Sequence, residues 1–371
     1  MRVLPQGWAV RPVSRIRLAA VLLVIAAIGA TSGCSTMAYY TQAISGHLQV
    51  MRAAKPVSER LADPSTAEPL RSRLVRAQAI REFAVHELAL PDNGSYRSYA
   101  DLGRSFVLWN VFATPEFSVK PVESCFPVAG CVSYRGWYAE ADARRHADEL
   151  HGQGFDVHVG GVPAYSTLGW FDDPLLNTFL AFPETEVARL VFHELAHQVA
   201  YASGDTVFNE SFAVAVEEEG VRRWLAAHAT TENAPGEAAR YQVGRERRRQ
   251  FIVLMLDYRG RLERFYAASA NDGTDARRAG KAALFAGLDA DYARLKQSWD
   301  GFAGYDRFLA GGANNALLAS IAAYSERLPA FRALLAHERN DLAAFYREVK
   351  RLAALPAPAR DVALEKIAPA P

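Results

Sequence analysis

The sequence has almost no net charge, and this balance excludes one large class of partners. Lysine and arginine total 42 residues against 41 for aspartate and glutamate, so the formal net charge of the 371-residue chain is +1. Proteins that bind nucleic acids carry clustered basic side chains, often interleaved with aromatic ones, and no such stripe is present. With 50% hydrophobic and 22% charged residues, we expect a globular protein with one large core or two smaller ones and no nucleic-acid partner.

Long hydrophobic runs are also missing, and the most apolar segment lies near the N-terminus. Residues Leu18–Ala30 read LAAVLLVIAAIGA and follow four arginines between positions 2 and 17. A run of this length matches the hydrophobic region of a signal peptide and is short for a membrane span. The segment TSGC comes next and places Gly33 before Cys34, a pattern that resembles the lipobox of bacterial lipoproteins.

The lipobox resemblance implies a signal peptide at residues 1–33 and a lipid-modified Cys34 as the first residue of the mature chain. Ser35, in the position after the cysteine, favours the outer membrane over the inner one by analogy with that class. The alternative is an uncleaved membrane anchor with an incidental cysteine. We expect a soluble folded part that a lipid anchor holds in the cell envelope, facing the periplasm.

Cysteine is scarce, with three residues in the whole chain. Apart from Cys34, the sequence has Cys125 and Cys131 in the segment CFPVAGC. An exported compartment is oxidising, so these two can form a local disulfide that stabilises the fold modestly. Two free buried thiols are the alternative. A zinc knuckle is disfavoured because no second pair exists.

The pattern of hydrophobic residues changes along the chain and predicts one domain over residues 34–360. Its parts are N-terminal helices at 38–103, a strand-rich part at 104–175, a helix pair at 183–229 and C-terminal helices at 237–354. This order predicts a helix-dominated α+β fold, with a small β-sheet in the middle packed on the helix pair. The tail at 361–371 is rich in proline and alanine, and we expect it to be loose.

Two histidines and a glutamate interrupt the apolar pattern of the first helix of the pair, in LVFHELAHQ. Residues four apart on a helix share a face, so His193 and His197 aim two imidazoles at one point. That spacing suits two ligands of a tetrahedral zinc ion. Glu194 lies beside the point, so this HExxH pattern predicts Zn²⁺ with Glu194 as general base. The alternative is two ordinary histidines at the edge of a core and a solvated glutamate.

Two glutamates downstream can supply the third zinc ligand. A turn at residues 203–205 would let the next helix pack antiparallel on the first and bring Glu210, in NESFA, over the histidines. Glu217 lies two turns further on the same face. We predict that Glu210 is the ligand, and that Glu217 holds a histidine or anchors a substrate amine.

HELAHQ followed by NESFA and then by Glu217 resembles the gluzincin metallopeptidases, especially their aminopeptidases. PDNGSYRSYADLG, CFPVAGCVSYRGWY and the run from PAYSTLGWFDDPLLNTF to VEEEGVRRWL resemble predicted bacterial aminopeptidase lipoproteins. The resemblance implies a zinc peptidase with a peptide substrate. The loop between His197 and Glu210 is shorter than in those enzymes, which leaves Glu217, at the thermolysin-like spacing, open as the third ligand. A GAMEN-type segment, which binds the free amine there, is missing, so exopeptidase specificity also stays open.

The resemblance further implies a hydrogen-bond donor for the oxyanion, often a tyrosine or a histidine. Tyr165 and Tyr305 are the candidates, and a half-buried aromatic ring with a wet hydroxyl is the alternative for each. Asp172 and Asp173 are predicted to cap a helix, with a role in binding a substrate amine as the alternative.

The leading hypothesis is a membrane-tethered zinc aminopeptidase. A zinc endopeptidase of the same chemistry is the first alternative, and a non-catalytic envelope lipoprotein with a structural metal site is the second. An open ligand position favours catalysis, whereas a fourth protein ligand favours a structural role.

Overall fold

The computed structural model describes residues 37–126, 130–229 and 234–368. The predicted signal peptide and Cys34 lie outside the described residues. The chain divides between Leu48 and Gln49, and the elements that carry the site belong to the unit that begins at Gln49. Within the described ranges, no helix combines the length and the apolar character needed to cross a membrane.

Helices make up most of the described residues. They are α1 (37–53), α2 (Val57–Ala62), α3 (Glu68–His86), α4 (Glu140–Gly152), α5 (Asn177–Leu180), α6 (Glu184–Val199), α7 (Thr206–Ala227), α8 (Ala234–Ala268), α9 (Thr274–Gln297), α10 (Asp306–Leu309), α11 (Asn315–Ser325), α12 (Leu328–His337), α13 (Leu342–Ala353) and α14 (Ala357–Ile367). The strands are β1 (Lys55–Pro56), β2 (Ser98–Ala100), β3 (Leu108–Pro115), β4 (Ser124–Phe126), β5 (Gly130–Val132), β6 (Arg135–Trp137), β7 (Phe155–Val162) and β8 (Leu175–Leu176).

The strands form three small sheets, in the orders β1-β2-β8, β6-β3-β7 and β4-β5. In the middle sheet β3 pairs antiparallel with both neighbours, so that Trp109 lies between Trp137 and Gly161. Helix α4 packs on this sheet, and so does α11, which also packs on α7. A disulfide joins Cys125 and Cys131, which face each other across β4 and β5. The predicted helix-dominated α+β class is confirmed.

Helices α6 and α7 pack against each other in the main core. Phe192 of α6 and Phe208 and Phe212 of α7 have no exposed surface. A glycine in the middle of a helix usually destabilises it, yet Gly220 stands within α7. A Cβ atom at Gly220 would lie 2.5 Å from the Phe192 ring, so the glycine permits the close approach of the two helices.

The C-terminal tail is ordered further than its composition predicts. Residues 361–367 were expected to be loose, but they continue helix α14, which begins at Ala357. Pro358 lies in the first turn, where the missing backbone N–H removes no helical hydrogen bond. Arg360 and Leu364 are buried against the core, and this packing outweighs the loose character of a Pro- and Ala-rich segment.

Candidate metal centre

Helix α6 places three ionisable side chains on its buried face. The helix begins after Pro183, and the negative charges of Glu184 and Glu186 in its first turn interact favourably with the positive end of the helix dipole. Its buried side chains are apolar except for Thr185 and for His193, Glu194 and His197, each of which is only 8% exposed. Burial of three ionisable groups on one helix face requires partners, and α7 supplies them.

Two sets of local hydrogen bonds fix the N-terminal turn of α7. Gly204, with a φ of 79°, forms the turn, and the Asp205 carboxylate caps the helix by accepting from Phe208 N at 2.9 Å. The Asn209 side chain accepts from Ala202 N at 2.7 Å and donates to Ala202 O at 2.9 Å. Because the hydrogen bonds between Asn209 and Ala202 set the position of the first turn of α7, they also orient the next residue, Glu210.

His193, His197 and Glu210 converge on one point. The two Nε2 atoms lie 3.2 Å apart, and Glu210 Oε2 lies 3.2 Å from His193 Nε2 and 3.7 Å from His197 Nε2. Ligands of a tetrahedral zinc ion, each about 2.0–2.2 Å from the metal, lie roughly 3.3–3.6 Å from one another. The three atoms therefore form a face of suitable size. Among the described residues, no fourth ligand joins this group.

Glu217 contacts the other nitrogen of His193. Its Oε2 lies 2.9 Å from His193 Nδ1 and accepts a hydrogen bond from Arg189 Nη1 at 3.0 Å. Arg189 in turn donates to Glu186 at 2.8 Å. A carboxylate on Nδ1 favours the tautomer whose Nε2 lone pair is free to bind a metal. Of the two glutamates, Glu210 therefore lies at the shared point and Glu217 lies behind His193.

The pKa shifts of His193 and Glu210 indicate that a positive charge stabilises this buried group. Burial alone lowers the pKa of His193, but its hydrogen bonds to Glu210 and Glu217 raise that pKa to about 10. Burial raises the pKa of Glu210, yet His197 and His193 bring it down to about 2. Two imidazole nitrogens whose lone pairs face each other at 3.2 Å need a proton or a cation between them. The donor set thus fits a divalent metal such as zinc.

Glu194 lies beside the ligand group without joining it. Burial raises the pKa of its carboxyl above the usual value; His193 and His197 oppose this shift, and Glu210 and Glu217 reinforce it. A carboxylate whose pKa is shifted towards neutral pH is a better proton acceptor at that pH. The carboxyl of Glu194 therefore lies close enough to the three residues of the group for their charges to shift its pKa.

The two tyrosines singled out in the sequence lie in different surroundings. Tyr165 packs edge to face on Tyr138, with ring centroids 6.0 Å apart, at the edge of the main core. Tyr305 stacks on Phe251 at 4.4 Å and belongs to the separate core of α8 and α9. The role of either tyrosine as a hydrogen-bond donor to the oxyanion remains a prediction.

A third tyrosine, not singled out in the sequence, lies beside His193. Tyr324, in the last turn of α11, stacks its ring on the imidazole with centroids 6.5 Å apart. Burial raises its pKa well above the usual value, and Glu210 and Glu194 add to the effect. The phenol therefore stays protonated and able to donate a hydrogen bond. Tyr324 is more than a hundred residues from the HExxH pattern in the sequence, so no local pattern indicates that it lies beside His193.

Comparison with known proteins gives one match. The family model described as "Putative aminopeptidase" matches residues 38–364. No curated protein and no solved structure matches the chain.

Proposed function

Since the chain belongs to this aminopeptidase family, we propose that it is a zinc-dependent peptidase held in the cell envelope by a lipid anchor. The family supports a peptidase function in general. The observation that carries the zinc chemistry is the convergence of His193 Nε2, His197 Nε2 and Glu210 Oε2, 3.2–3.7 Å from one another. Three protein ligands leave a position for water or substrate, which is typical of catalytic zinc sites.

In this proposal the residues of the chain have distinct tasks. A zinc ion held by His193, His197 and Glu210 would make a water nucleophilic at neutral pH and polarise the scissile carbonyl. Glu194 accepts the proton of the attacking water and later delivers it to the leaving amine. The Tyr324 hydroxyl donates a hydrogen bond to the carbonyl oxygen as that oxygen gains negative charge.

Removal of the metal tests the proposal. Dialysis against a chelator is expected to abolish peptide hydrolysis, and one equivalent of zinc per chain should restore it. Because zinc binds only the folded site, zinc at 1,000 times its Kd should also raise the free energy of unfolding by about 4 kcal/mol. The measurements are metal content by atomic absorption, the hydrolysis rate and thermal denaturation. Undiminished hydrolysis by metal-free protein would contradict the zinc mechanism.

Tyr324→Phe is expected to lower kcat about 100-fold with little change in KM, because the hydroxyl acts on charge that develops in the transition state. Zinc content and thermal stability should remain close to those of the wild type, since the ring stays in place. Tyr305→Phe is the matched comparison, because that residue is a second candidate for the same role. A loss of kcat in Tyr305→Phe and none in Tyr324→Phe would transfer the role to Tyr305.

Membrane anchoring rests on the sequence pattern alone. The arginine-rich start, the apolar run Leu18–Ala30 and Gly33 before Cys34 support lipidation of Cys34 and a location facing the periplasm. The disulfide between Cys125 and Cys131 is compatible with this proposal, because disulfides persist in oxidising compartments.

A further inference from the structure

The buried carboxylate of Asp173 lies near Glu194, and no cationic side chain pairs with it within the described ranges. The Asp173 side chain is 1% exposed, and its Oδ2 accepts a hydrogen bond from Thr167 N at 2.9 Å. Its Oδ1 is also buried, and no hydrogen-bond partner for it exists in the part of the chain that the structure describes. Burial raises the pKa of this carboxyl to about 7, and the negative charge of Glu194 contributes to the rise. Asp173 is thus a buried acidic group that has no ion-pair partner among the residues that the structure describes.

Tyr96 brings a second unsatisfied polar atom to the same region. The residue is 1% exposed, and its hydroxyl has no hydrogen-bond partner among the described residues. Its backbone N donates to Asp173 O at 2.6 Å. Burial raises the pKa of the phenol, and Glu194 and Asp173 both add to the shift. The phenol and the two carboxylates therefore share one poorly solvated region.

The backbone at Tyr96 is held in a conformation that a bulky side chain rarely adopts, with a φ of 63°. Such a conformation persists where the surrounding contacts outweigh its strain, and it is common at binding sites. Arg81, itself without exposed surface, donates to Ser95 O at 2.8 Å and to Pro91 O at 2.8 Å. These bonds fix the loop that presents the Tyr96 ring.

The loops that carry Tyr96 and Asp173 are tied to the zinc-binding helix. Ser95 Oγ accepts from Asp173 N at 3.3 Å and from Gln198 Nε2 at 3.2 Å. Asn93 donates to Gln198 Oε1 at 2.7 Å. Gln198 directly follows the predicted ligand His197, so both loops have a defined position relative to the metal centre.

The chemistry of this region suits an ammonium group. A primary ammonium offers three donors and one positive charge. Asp173 Oδ1 and the Tyr96 hydroxyl oxygen can accept hydrogen bonds, and neither has a partner in the described part of the chain. A desolvated carboxylate is favoured only when a cation accompanies it. An unblocked peptide brings such a cation at its first residue, next to the first peptide bond.

We propose that Asp173 and Tyr96 bind the free α-amine of a peptide substrate and so place its first peptide bond at the metal centre. This inference rests on the proposed peptidase function. The site takes over the task of the GAMEN-type segment, which is missing from the sequence, and gives the enzyme its exopeptidase specificity.

The test measures amine recognition separately from catalysis. Calorimetric titration of the inactive Glu194→Gln protein with an unblocked dipeptide and with its N-acetyl form gives the ratio of the two Kd values. We expect the unblocked dipeptide to bind at least 10-fold more tightly. Adding Asp173→Asn should remove this preference by weakening the unblocked dipeptide alone, and adding Tyr96→Phe should reduce it several-fold.

Asp172→Asn is the matched comparison, because the sequence offers both aspartates as amine-binding candidates, whereas in the structure Asp172 is exposed and Asp173 is buried. Removing the charge of Asp172 should leave the Kd ratio within about twofold. Equal binding of both dipeptides to the Glu194→Gln protein would overturn the proposed amine site. Zinc-dependent cleavage of N-acetylated peptides by the wild type would at the same time leave the peptidase function standing. Equal weakening of both dipeptides by Asp173→Asn, with an unchanged thermal transition, would assign Asp173 to loop structure alone. An amine preference in a protein without zinc or hydrolysis would keep the amine site and refute the peptidase function.

Discussion

Replacing Glu194 with glutamine is expected to lower kcat by about 10³- to 10⁴-fold while zinc stays bound. General acid–base catalysis contributes about 10²- to 10⁴-fold, and the upper part of that range applies because the proposed role of Glu194 is both to accept and to return a proton. Glutamine has nearly the same shape but cannot take up a proton. The ligand atoms of His193, His197 and Glu210 are unchanged, so the zinc content should equal that of the wild type.

The control for this variant is a glutamate on the neighbouring helix. Glu218 pairs with Arg332 at 2.6–2.8 Å near the surface and takes no part in the proposed chemistry. Glu218→Gln should therefore keep wild-type kcat and zinc content. Steady-state kinetics on an unblocked peptide, with metal analysis of each variant, provide the measurement. Activity of Glu194→Gln within a few-fold of the wild type would remove Glu194 as the general base.

The convergence of His193, His197 and Glu210 could be predicted from the sequence because its geometry is mostly local. His193 and His197 share a helix face whatever the rest of the fold does, since four residues make about one helical turn. The position of Glu210 required one further step, the turn before α7. Gly204 and Asp205 signal that turn, because glycine adopts positive φ and aspartate caps helices.

The position of Tyr324 and the burial of Asp173 have no comparable signal in the sequence. Tyr324 reaches His193 because α11 packs on α7, and that contact joins positions more than a hundred residues apart. The sequence predicts that Asp172 and Asp173 cap a helix, with a role in binding a substrate amine as the alternative, but the residue at the N-cap of α5 is Leu176. The burial of the Asp173 carboxylate depends on two loops that meet at Ser95, 78 residues away in the sequence.

The C-terminal tail shows the same limit. Local composition predicted a loose segment from residue 361, since alanine and proline offer few side-chain contacts. The structure instead continues helix α14, in which Arg360 donates to Asp205 Oδ2 at 2.9 Å across 155 residues. Asp205 also caps α7, so the tail helix contacts the residue that orients the Glu210 turn. No periodicity within the tail could indicate such a partner.

Glu210→Gln and Glu217→Gln are expected to differ sharply in zinc affinity. Glu210→Gln replaces the proposed carboxylate ligand with a neutral amide, so its loss of affinity should exceed the 10- to 100-fold that is typical when a residue that orients a ligand is replaced. Glu217→Gln should fall within that 10- to 100-fold range, because His193 keeps its Nε2 directed at the metal but loses its charged partner on Nδ1. Competition with a chromogenic chelator measures both affinities.

The two variants should also differ in the stability of the metal-free protein. Glu217 is buried and pairs with Arg189, which retains only Glu186 after the change. Breaking a buried ion pair costs about 3–5 kcal/mol. Because Arg189 keeps one partner, the expected loss of unfolding free energy for Glu217→Gln is about 3 kcal/mol or less, as measured by urea denaturation.

If Glu217→Gln instead lost more zinc affinity than Glu210→Gln, the third ligand would be Glu217, at the longer spacing that the sequence left open. Glu210, which follows the short loop before α7, would then orient the histidines without binding the metal.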